Sequence, residues 1–169
     1  SIKYMVNYNE IKGDLIELAL NNKFDVVAHG CNCQCVMGAG IAPQMDKAFY
    51  CSTFTMESQE FKGDINKLGT IDYEYHRPNF PSTEKSIAVV NCYTQYMYGK
   101  NHLDGINKPI DYEALTLCMR KINHTFKGKH IGLPQIGCGL AGGDWNKVKQ
   151  IIKKELKDCK VTIVIYDKN

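Results

Sequence analysis

Short apolar runs alternate with longer segments of mixed polarity along most of this chain. The apolar runs predict strands at residues 3–7, 25–31, 69–75, 86–93, 130–133 and 161–166. The mixed segments predict helices at residues 14–21, from Ile41 onward, at 109–126 and at 146–156. In the third of these helices, one face is shared by Leu115, Met119, Ile122 and Phe126. The alternation predicts one α/β domain over residues 1–169 with a mostly parallel sheet, and residues 51–86 are its least clearly patterned part.

Two loops rich in small residues each follow a predicted strand and precede a predicted helix. The first contains Met37-Gly38-Ala39-Gly40-Ile41, and the second contains Ile136-Gly137-Cys138-Gly139-Leu140. Such loops leave backbone N–H groups without partners, and the following helix adds partial positive charge at its N-terminus. Both features favour phosphate. The pair therefore predicts a ligand with two phosphates, or one long phosphorylated ligand that lies across both loops.

The second loop also matches the dinucleotide-binding pattern G-x-G-x-x-G at residues 137–142. In a nicotinamide-binding domain this turn follows the first strand, and further strand–helix units come after it. Only one helix and one strand are predicted after Gly142, so the loop is interpreted as a phosphate cradle in another topology. Neither loop is followed by Gly-Lys-Ser/Thr, which excludes a P-loop nucleotide hydrolase.

The chain carries 21 basic and 18 acidic residues, for a net charge of +3, and its only arginines are Arg77 and Arg120. Its 44% hydrophobic and 23% charged content is typical of a soluble globular domain. The lysines are scattered, apart from a group on the last predicted helix whose spacing fits a solvated face. This pattern does not indicate a nucleic-acid partner. No run is long and apolar enough to span a membrane, so we expect a monomeric cytoplasmic protein without a membrane partner.

Eight cysteines are present, and three of them occupy alternate positions in His29-Gly30-Cys31-Asn32-Cys33-Gln34-Cys35. Zinc sites usually pair cysteines about two to four residues apart and add a second pair downstream. This segment has single-residue spacing and no matching second pair, so no metal or other cofactor is expected. With no secretory signal segment, the cysteines are predicted to be reduced packing residues.

Several polar residues lie at positions from which they would reach a ligand bound at the loops. His29 stands where a buried strand meets the first loop. Either its imidazole points toward a bound phosphate or ribose, or it is a core histidine that is hydrogen-bonded to the backbone. Asn32 is either a sugar ligand or the start of an Asx turn. Asp14 and Asp144 each begin a predicted helix, where either residue can act as the N-cap. The alternative role is ligand recognition for Asp14 and the orienting of a water molecule for Asp144. Tyr166 ends the last strand and either packs on a base or fills the edge of the core.

Taken together, these segments resemble the macrodomain family of ADP-ribose-binding proteins. The resemblance covers nearly the whole chain and rests on Lys12-Gly13-Asp14-Leu15, residues 27–42, residues 133–140 and the closing strand at Tyr166. It implies a three-layer α/β/α fold with a mixed, mostly parallel sheet. The His-x-Cys-Asn-Cys segment is most similar to the yeast-type ADP-ribose-1″-phosphate phosphatase branch, and it also resembles the branch that contains terminal ADP-ribose protein glycohydrolase.

At matching positions the resemblance implies a binding role for each loop. Asp14 would accept the adenine amino group, the Leu15 N–H would meet the ring, and Tyr166 would lie near the adenine. The diphosphate and distal ribose would be wrapped by Met37, Gly38, Ala39, Gly40, Ile41, Ile136, Gly137, Cys138, Gly139 and Leu140. Asn32 would contact the distal ribose, and His29 would occupy the position that the phosphatase branch is thought to use for catalysis.

The resulting hypothesis is an enzyme that hydrolyses the terminal phosphate of ADP-ribose-1″-phosphate and leaves ADP-ribose. His29 would act as base or proton donor, Asn32 would position the ribose, and Asp144 would orient water, while loop N–H groups stabilise charge. Two alternatives remain, an ADP-ribosyl hydrolase acting on modified protein or nucleic acid and a binding module without turnover. The glycohydrolase branch has a catalytic aspartate directly after its Ile-Gly-Cys-Gly-Leu motif, where this chain has Ala141.

Overall fold

A six-stranded sheet with helices on both faces forms the framework of the computed structural model, which describes residues 7–52, 61–78, 85–99 and 109–167. The strands are β1 (Tyr8–Gly13), β2 (Val26–Asn32), β3 (Ile71–His76), β4 (Ile87–Gln95), β5 (His130–Leu133) and β6 (Lys160–Tyr166). The helices in these ranges are α1 (Leu15–Leu20), α2 (Ala42–Phe49), α3 (Tyr112–Thr125) and α4 (Trp145–Glu155), with a short 3₁₀ helix at Ile65–Lys67. None of these helices has the length and apolar character needed to cross a membrane.

The strands follow the order β1-β6-β5-β2-β4-β3 across the sheet. Every neighbouring pair is parallel except β3 with β4, so β3 forms an antiparallel edge on an otherwise parallel sheet. Mixed sheets of this kind are common where helices cover both faces. The predicted three-layer α/β/α arrangement is confirmed.

Burial on both faces explains why the central strands read as continuous apolar runs. All of β4 except its last residue is buried, and so is all of β2 except Gly30. On one face the core includes Met119 of α3 and Ile152 of α4, and on the other it includes Ala19 of α1 and Met45 of α2. The helices thus complete two apolar layers, which stabilise the fold mainly through the area that they remove from water.

Aspartate side chains set the start of three helices. Asp14, Asp111 and Asp144 accept hydrogen bonds from backbone N–H groups in the first turns of α1, α3 and α4. The prediction that Pro109 opens the third helix is therefore wrong. The helix begins after the Asp111 cap, and Ile110 instead pairs with Gln95 as an isolated β-bridge.

The first strand differs from the prediction at residues 3–7. Residues 3–6 lie outside the described residues, and the strand that the structure shows is β1, which the sequence pattern did not reveal. It pairs with β6 and mixes half-buried with exposed positions, so it lacks the apolar run of the central strands. In the weakly patterned region 51–86, residues 53–60 and 79–84 also lie outside the description, and β3 confirms the strand predicted there.

All eight cysteines are free thiols in this structure. Six are buried, while Cys35 and Cys138 are partly exposed. Burial raises the pKa of the Cys33 thiol to about 12 and that of Cys159 to about 11. These thiols therefore stay protonated near neutral pH and act as small apolar packing groups.

Gly132 in β5 tests how tightly the core is filled. A Cβ atom at this position would lie 2.6 Å from the buried Phe24 ring. We expect Gly132→Ala to lower the free energy of unfolding by about 1–3 kcal/mol, because an added methyl group in a filled core forces its neighbours to move. Urea denaturation measures this change.

Gly139→Ala is the matched control, since a Cβ atom there would have no heavy atom within 4 Å. Combining Gly132→Ala with Phe24→Leu should recover part of the lost stability. Equal stability of Gly132→Ala and the native chain would contradict the described packing.

Candidate functional site

The two glycine loops meet above the carboxyl ends of β2 and β5, which are neighbours in the sheet. Since these strands are parallel, the loops that leave them emerge at the same edge. Between the loops lies a cleft with two adjoining chambers, which share Gly40, Ile41, Pro134, Gln135 and Gly139. The structure thus brings the two loops together, as the sequence predicted.

We name each chamber after one of its residues. The Asn32 chamber, of about 500 Å³, is lined by Gly30, Cys31, Asn32, residues 36–42, Gln95, Tyr98, Gly99, residues 134–137 and residues 139–141. The Asp14 chamber, of about 550 Å³, is lined by Asp14, Leu15, Ile16, Gly40, Ile41, Gln44, Pro134, Gln135, Cys138, Gly139, Val164 and Tyr166. Both volumes are in the range of small-molecule sites.

The first loop is held by the side-chain amide of Asn32 at the end of β2. The amide nitrogen donates to the Val36 carbonyl oxygen at 2.8 Å, and the amide oxygen accepts from the Val36 N–H at 3.1 Å. The amide is thus engaged with the loop backbone, and its contact with a sugar stays a prediction. In the glycine segment that follows, the N–H groups of Gly38, Ala39 and Gly40 are not used by hydrogen bonds among the described residues. They are available to an anion.

The second loop depends on glycine at two positions. Gly137 has a φ of 73°, and a Cβ atom there would collide with the Ile110 side chain. A Cβ atom at Gly143 would lie 2.6 Å from the Gly137 carbonyl oxygen. The Gly143 N–H instead donates to that oxygen at 2.8 Å, which closes the loop on itself just before α4.

Asp14 and Tyr166 stand together because β1 and β6 are parallel neighbours, with Gly13 in register with Tyr166. One carboxylate oxygen of Asp14, Oδ1, accepts from the N–H groups of Ile16 and Glu17 at 3.0 and 3.1 Å and caps α1. The other oxygen, Oδ2, is not used by hydrogen bonds in the described part of the chain. Capping and ligand binding are therefore compatible for Asp14. Tyr166 is 66% exposed, so its ring is accessible to a planar ligand.

The polar chamber residues that the sequence analysis missed include Gln95, Tyr98 and Gln135. Gln135 lies between β5 and the second glycine loop, so its neighbours in the sequence were a usable signal. Gln95 and Tyr98 come from the end of β4 and the turn after it. Their place in the cleft follows from the pairing of β4 with β2, which only the sheet order reveals.

Comparison with known proteins finds relatives along nearly the whole chain, although no family model matches it. An uncharacterized 17.5 kDa protein of Enterobacteria phage T4 is 35% identical over 161 residues, which cover 93% of this chain and 94% of the relative. The ADP-ribose 1″-phosphate phosphatase of Debaryomyces hansenii is 26% identical over 185 residues, covering 96% of this chain and 100% of the relative. The phosphatase of the same name from Meyerozyma guilliermondii is 27% identical over 168 residues, covering 89% and 94%.

Solved structures share the fold. The macrodomain of Thermus aquaticus DarG matches with a TM-score of 0.70 at 21% identity, covering 95% of this chain and 97% of that one. A Trypanosoma brucei macrodomain in complex with ADP-ribose matches with a TM-score of 0.61 at 14% identity, covering 97% and 65%. The chain has the macrodomain fold.

In this macrodomain the side chain of His29 is fully buried and lines neither chamber. Its Nε2 lies 2.6 Å from Oδ1 of Asn91. The Asn91 amide nitrogen donates to the Cys51 carbonyl oxygen and to Asp72, so the Asn91 oxygen is the acceptor and Nε2 carries the proton. Burial lowers the pKa of His29 to about 4, which keeps the ring neutral. The expectation that His29 points at a bound phosphate or ribose is wrong, and it is a core histidine bonded to a side chain.

Cys31 does line the Asn32 chamber of the macrodomain, and its sulfur lies 3.7 Å from the same His29 nitrogen. That nitrogen carries a proton shared with Asn91, so it does not accept the thiol proton, and the pair is not arranged as nucleophile and base. Burial also raises the pKa of Cys31 well above its usual value. Within the described ranges, no three His, Cys, Asp or Glu side chains are grouped to hold a metal ion.

Asp144 also lies outside the chamber walls. Its carboxylate accepts from the Asn146 N–H at 2.9 Å, and its own N–H donates to the Tyr112 hydroxyl at 3.0 Å. The capping interpretation is confirmed, and the geometry gives no support to a water-orienting role. Of the three predicted catalytic residues, only Asn32 lines the cleft.

The buried neutral imidazole of His29 makes stability depend on pH. Its folded pKa of about 4 lies below the usual 6.5, so the unfolded chain binds a proton first as the pH falls. The stability linked to His29 is therefore fully present above pH 6.5 and is lost progressively toward pH 4. We expect the loss to reach about 2 kcal/mol near pH 5.

Urea unfolding of the native chain and of His29→Gln at neutral and acidic pH measures this contribution. Glutamine keeps an N–H donor for Asn91 but does not titrate, so the variant should lose less stability on acidification. Identical pH dependence in the two chains would show that His29 is not buried as a neutral ring.

Proposed function

We propose that this macrodomain binds ADP-ribose-containing nucleotides in the cleft between its glycine loops. The observation that carries the proposal is the pair of adjoining chambers, with the Asp14 carboxylate in one and unused loop N–H groups beside the other. ADP-ribose contains an adenine, a diphosphate and a second ribose in that order. These groups match the Asp14 carboxylate, the loop N–H groups and the Asn32 chamber in turn. A macrodomain of the same fold has been solved with ADP-ribose, which supports the proposal.

The adenine occupies the Asp14 chamber in this proposal. Oδ2 of Asp14 accepts from the adenine amino group while Oδ1 continues to cap α1. The exposed ring of Tyr166 covers one face of the base. The diphosphate lies between the loops, where the N–H groups of residues 38–40 and the start of α2 favour negative charge. The second ribose then reaches the Asn32 chamber.

For the reaction, we propose removal of the terminal phosphate from ADP-ribose-1″-phosphate. Water attacks the phosphorus atom, the bond from phosphorus to the oxygen on C1″ breaks, and the products are ADP-ribose and inorganic phosphate. The two relatives named as ADP-ribose 1″-phosphate phosphatases, at 26% and 27% identity over most of the chain, support this reaction. Charge on the phosphoryl oxygens is stabilised by the loop N–H groups.

A binding module without turnover is the second candidate, and one observation favours it. Among the described residues, no carboxylate, imidazole, ammonium or guanidinium group lines the Asn32 chamber. A general acid or base has to come within hydrogen-bond distance of the reacting atoms. Hydrolysis in this chamber therefore depends on backbone donors and on neutral side chains such as those of Cys31 and Tyr98.

The Asp14→Asn variant separates helix capping from adenine recognition. Asparagine caps helices as well as aspartate does, so its Oδ1 still accepts from Ile16 and Glu17 and stability should be unchanged. An NH₂ group replaces Oδ2, so two hydrogen-bond donors face each other and the hydrogen bond to the adenine amino group is lost. We expect the affinity for ADP-ribose, measured by calorimetry, to fall by about ten-fold.

The matched control is Asp144→Asn, which makes the same change at a capping residue outside the chambers and should leave the affinity unchanged. An ADP-ribose analogue with hypoxanthine in place of adenine presents an oxygen instead of the amino group. Asp14→Asn should therefore bind this analogue more tightly than the native chain does. Absence of heat with millimolar ADP-ribose and the native chain would overturn the binding proposal itself.

Release of inorganic phosphate from ADP-ribose-1″-phosphate tests the reaction. We expect release by the native chain, a loss of about ten-fold or more in Gly137→Ala because the loop is distorted, and little change in His29→Gln. Loss of activity in a stably folded His29→Gln would restore a catalytic role for that residue. ADP-ribose binding without phosphate release would identify a binding module, and release of ADP-ribose from modified protein or DNA would identify an ADP-ribosyl hydrolase.

A further inference from the structure

Basic side chains line the edge of the sheet opposite the cleft, where the parallel strands begin. Lys160 opens β6, Lys129 directly precedes β5, and Lys23 and Lys85 lie shortly before β2 and β4. These four strands are neighbours in the order β6-β5-β2-β4, so their starts are spaced by about 5 Å. Lysines that are far apart in the sequence therefore form one line.

The antiparallel edge strand extends this line by one position. Because β3 runs opposite to β4, its last residue, His76, is in register with Ile87 at the start of β4. Arg77 follows His76 and is exposed, which adds a guanidinium group at the end next to Lys85. We define the basic row as Lys23, Arg77, Lys85, Lys129 and Lys160.

The pKa values of two groups at the starts of β2 and β5 are each shifted by more than one of these lysines, so the lysine charges lie close to one another. Burial lowers the pKa of His130, and the charges of Lys160 and Lys85 lower it further. For Asp25, burial opposes ionisation, but the His130 N–H and the charges of Lys85 and Lys129 lower the pKa of the carboxyl group overall. The Lys85 ammonium lies 3.4 Å from the Asp25 carboxylate.

Among the described residues, these strand starts also hold one carboxylate, that of Asp25, which is paired with Lys85. Basic side chains therefore outnumber carboxylates in the described part of this edge. The adjoining turns contain two more exposed lysines, Lys127 and Lys157, and one more carboxylate, Asp158.

Exposed aromatic rings adjoin the basic row at its β3 end. Tyr75 is 66% exposed and is in register with Ala88 near the start of β4. Its ring centroid lies 6.2 Å from that of Tyr73, and the Tyr73 ring contacts Phe126 just before the turn that carries Lys129. Cationic tracks with accessible rings are the means by which many proteins hold single-stranded nucleic acid.

We propose that the basic row and Tyr75 form a second binding site, which takes the phosphate backbone of single-stranded nucleic acid. Successive phosphates neutralise successive cations and release counterions, and the Tyr75 ring stacks on a base. The cleft lies at the other end of the same strands. The proposal is thus independent of what the cleft binds.

Fluorescence anisotropy with a labelled oligo-dT of about twelve nucleotides tests the proposal. We expect binding at low salt, with an affinity that falls by roughly 50-fold between about 50 and 200 mM salt if four phosphates are contacted. Lys129→Glu combined with Lys160→Glu should weaken binding by about ten-fold or more and reduce the salt dependence. Tyr75→Ala should also weaken binding, while Tyr75→Phe keeps the ring and should not.

The matched control is Lys47→Glu combined with Lys62→Glu, which makes the same charge change at exposed positions outside the row. Its affinity should stay within about three-fold of that of the native chain. No binding at low salt, or equal losses in the row and control variants, would overturn the site. Heparin binding as tight as that of the oligonucleotide, with no effect of Tyr75→Ala, would overturn the nucleic-acid assignment and indicate a general polyanion surface. ADP-ribose titrations of the row variant report on the cleft separately.

Discussion

The cleft depends on the parallel alignment of β2 with the strands on either side of it. Val26 is in register with both Ala88 and Ile131, so β2, β4 and β5 run the same way and end at one edge of the sheet. Both glycine loops start from that edge and are held within the length of one ligand. Backbone N–H groups thereby become donors whose positions are set by the sheet, and such preorganised donors are the ones that stabilise negative charge best.

A buried polar network beside the Asn32 chamber strengthens this alignment. In the sheet Asn91 is the register partner of His29 on one side and of Asp72 on the other, and its side chain bonds to both. Asp72 also accepts from the Tyr93 hydroxyl at 2.6 Å. A buried network of this kind is costly to leave half satisfied, so it favours one register of β2, β4 and β3. A histidine beside a phosphate-type loop can therefore serve the fold rather than the chemistry.

The two ends of the sheet differ in chemistry for a common reason. Chain direction is the same in five of the six strands, so residues that follow strands gather at one edge and residues that precede them gather at the other. The first group is rich in glycine and lines the Asn32 chamber with neutral side chains, while the second is rich in lysine. A cleft whose Asn32 chamber relies on backbone donors and a cationic edge about one strand length away are thus separate surfaces of one sheet.

The sequence by itself determined the features that depend on neighbours along the chain. Glycine-rich turns after apolar runs identified both loops, aspartates before amphipathic segments identified the caps at Asp14 and Asp144, and continuous apolar runs identified the buried parallel strands. Strand order and register decided the rest. His29 lies on β2, which is buried on both faces. Because polar and apolar residues do not alternate along such a strand, the sequence does not reveal whether the His29 side chain points toward the cleft or into the core. Tyr98 reaches the Asn32 chamber, and Arg77 joins the lysines, only because β4 lies between β2 and β3, a pairing of distant segments that core packing selects and no local pattern records.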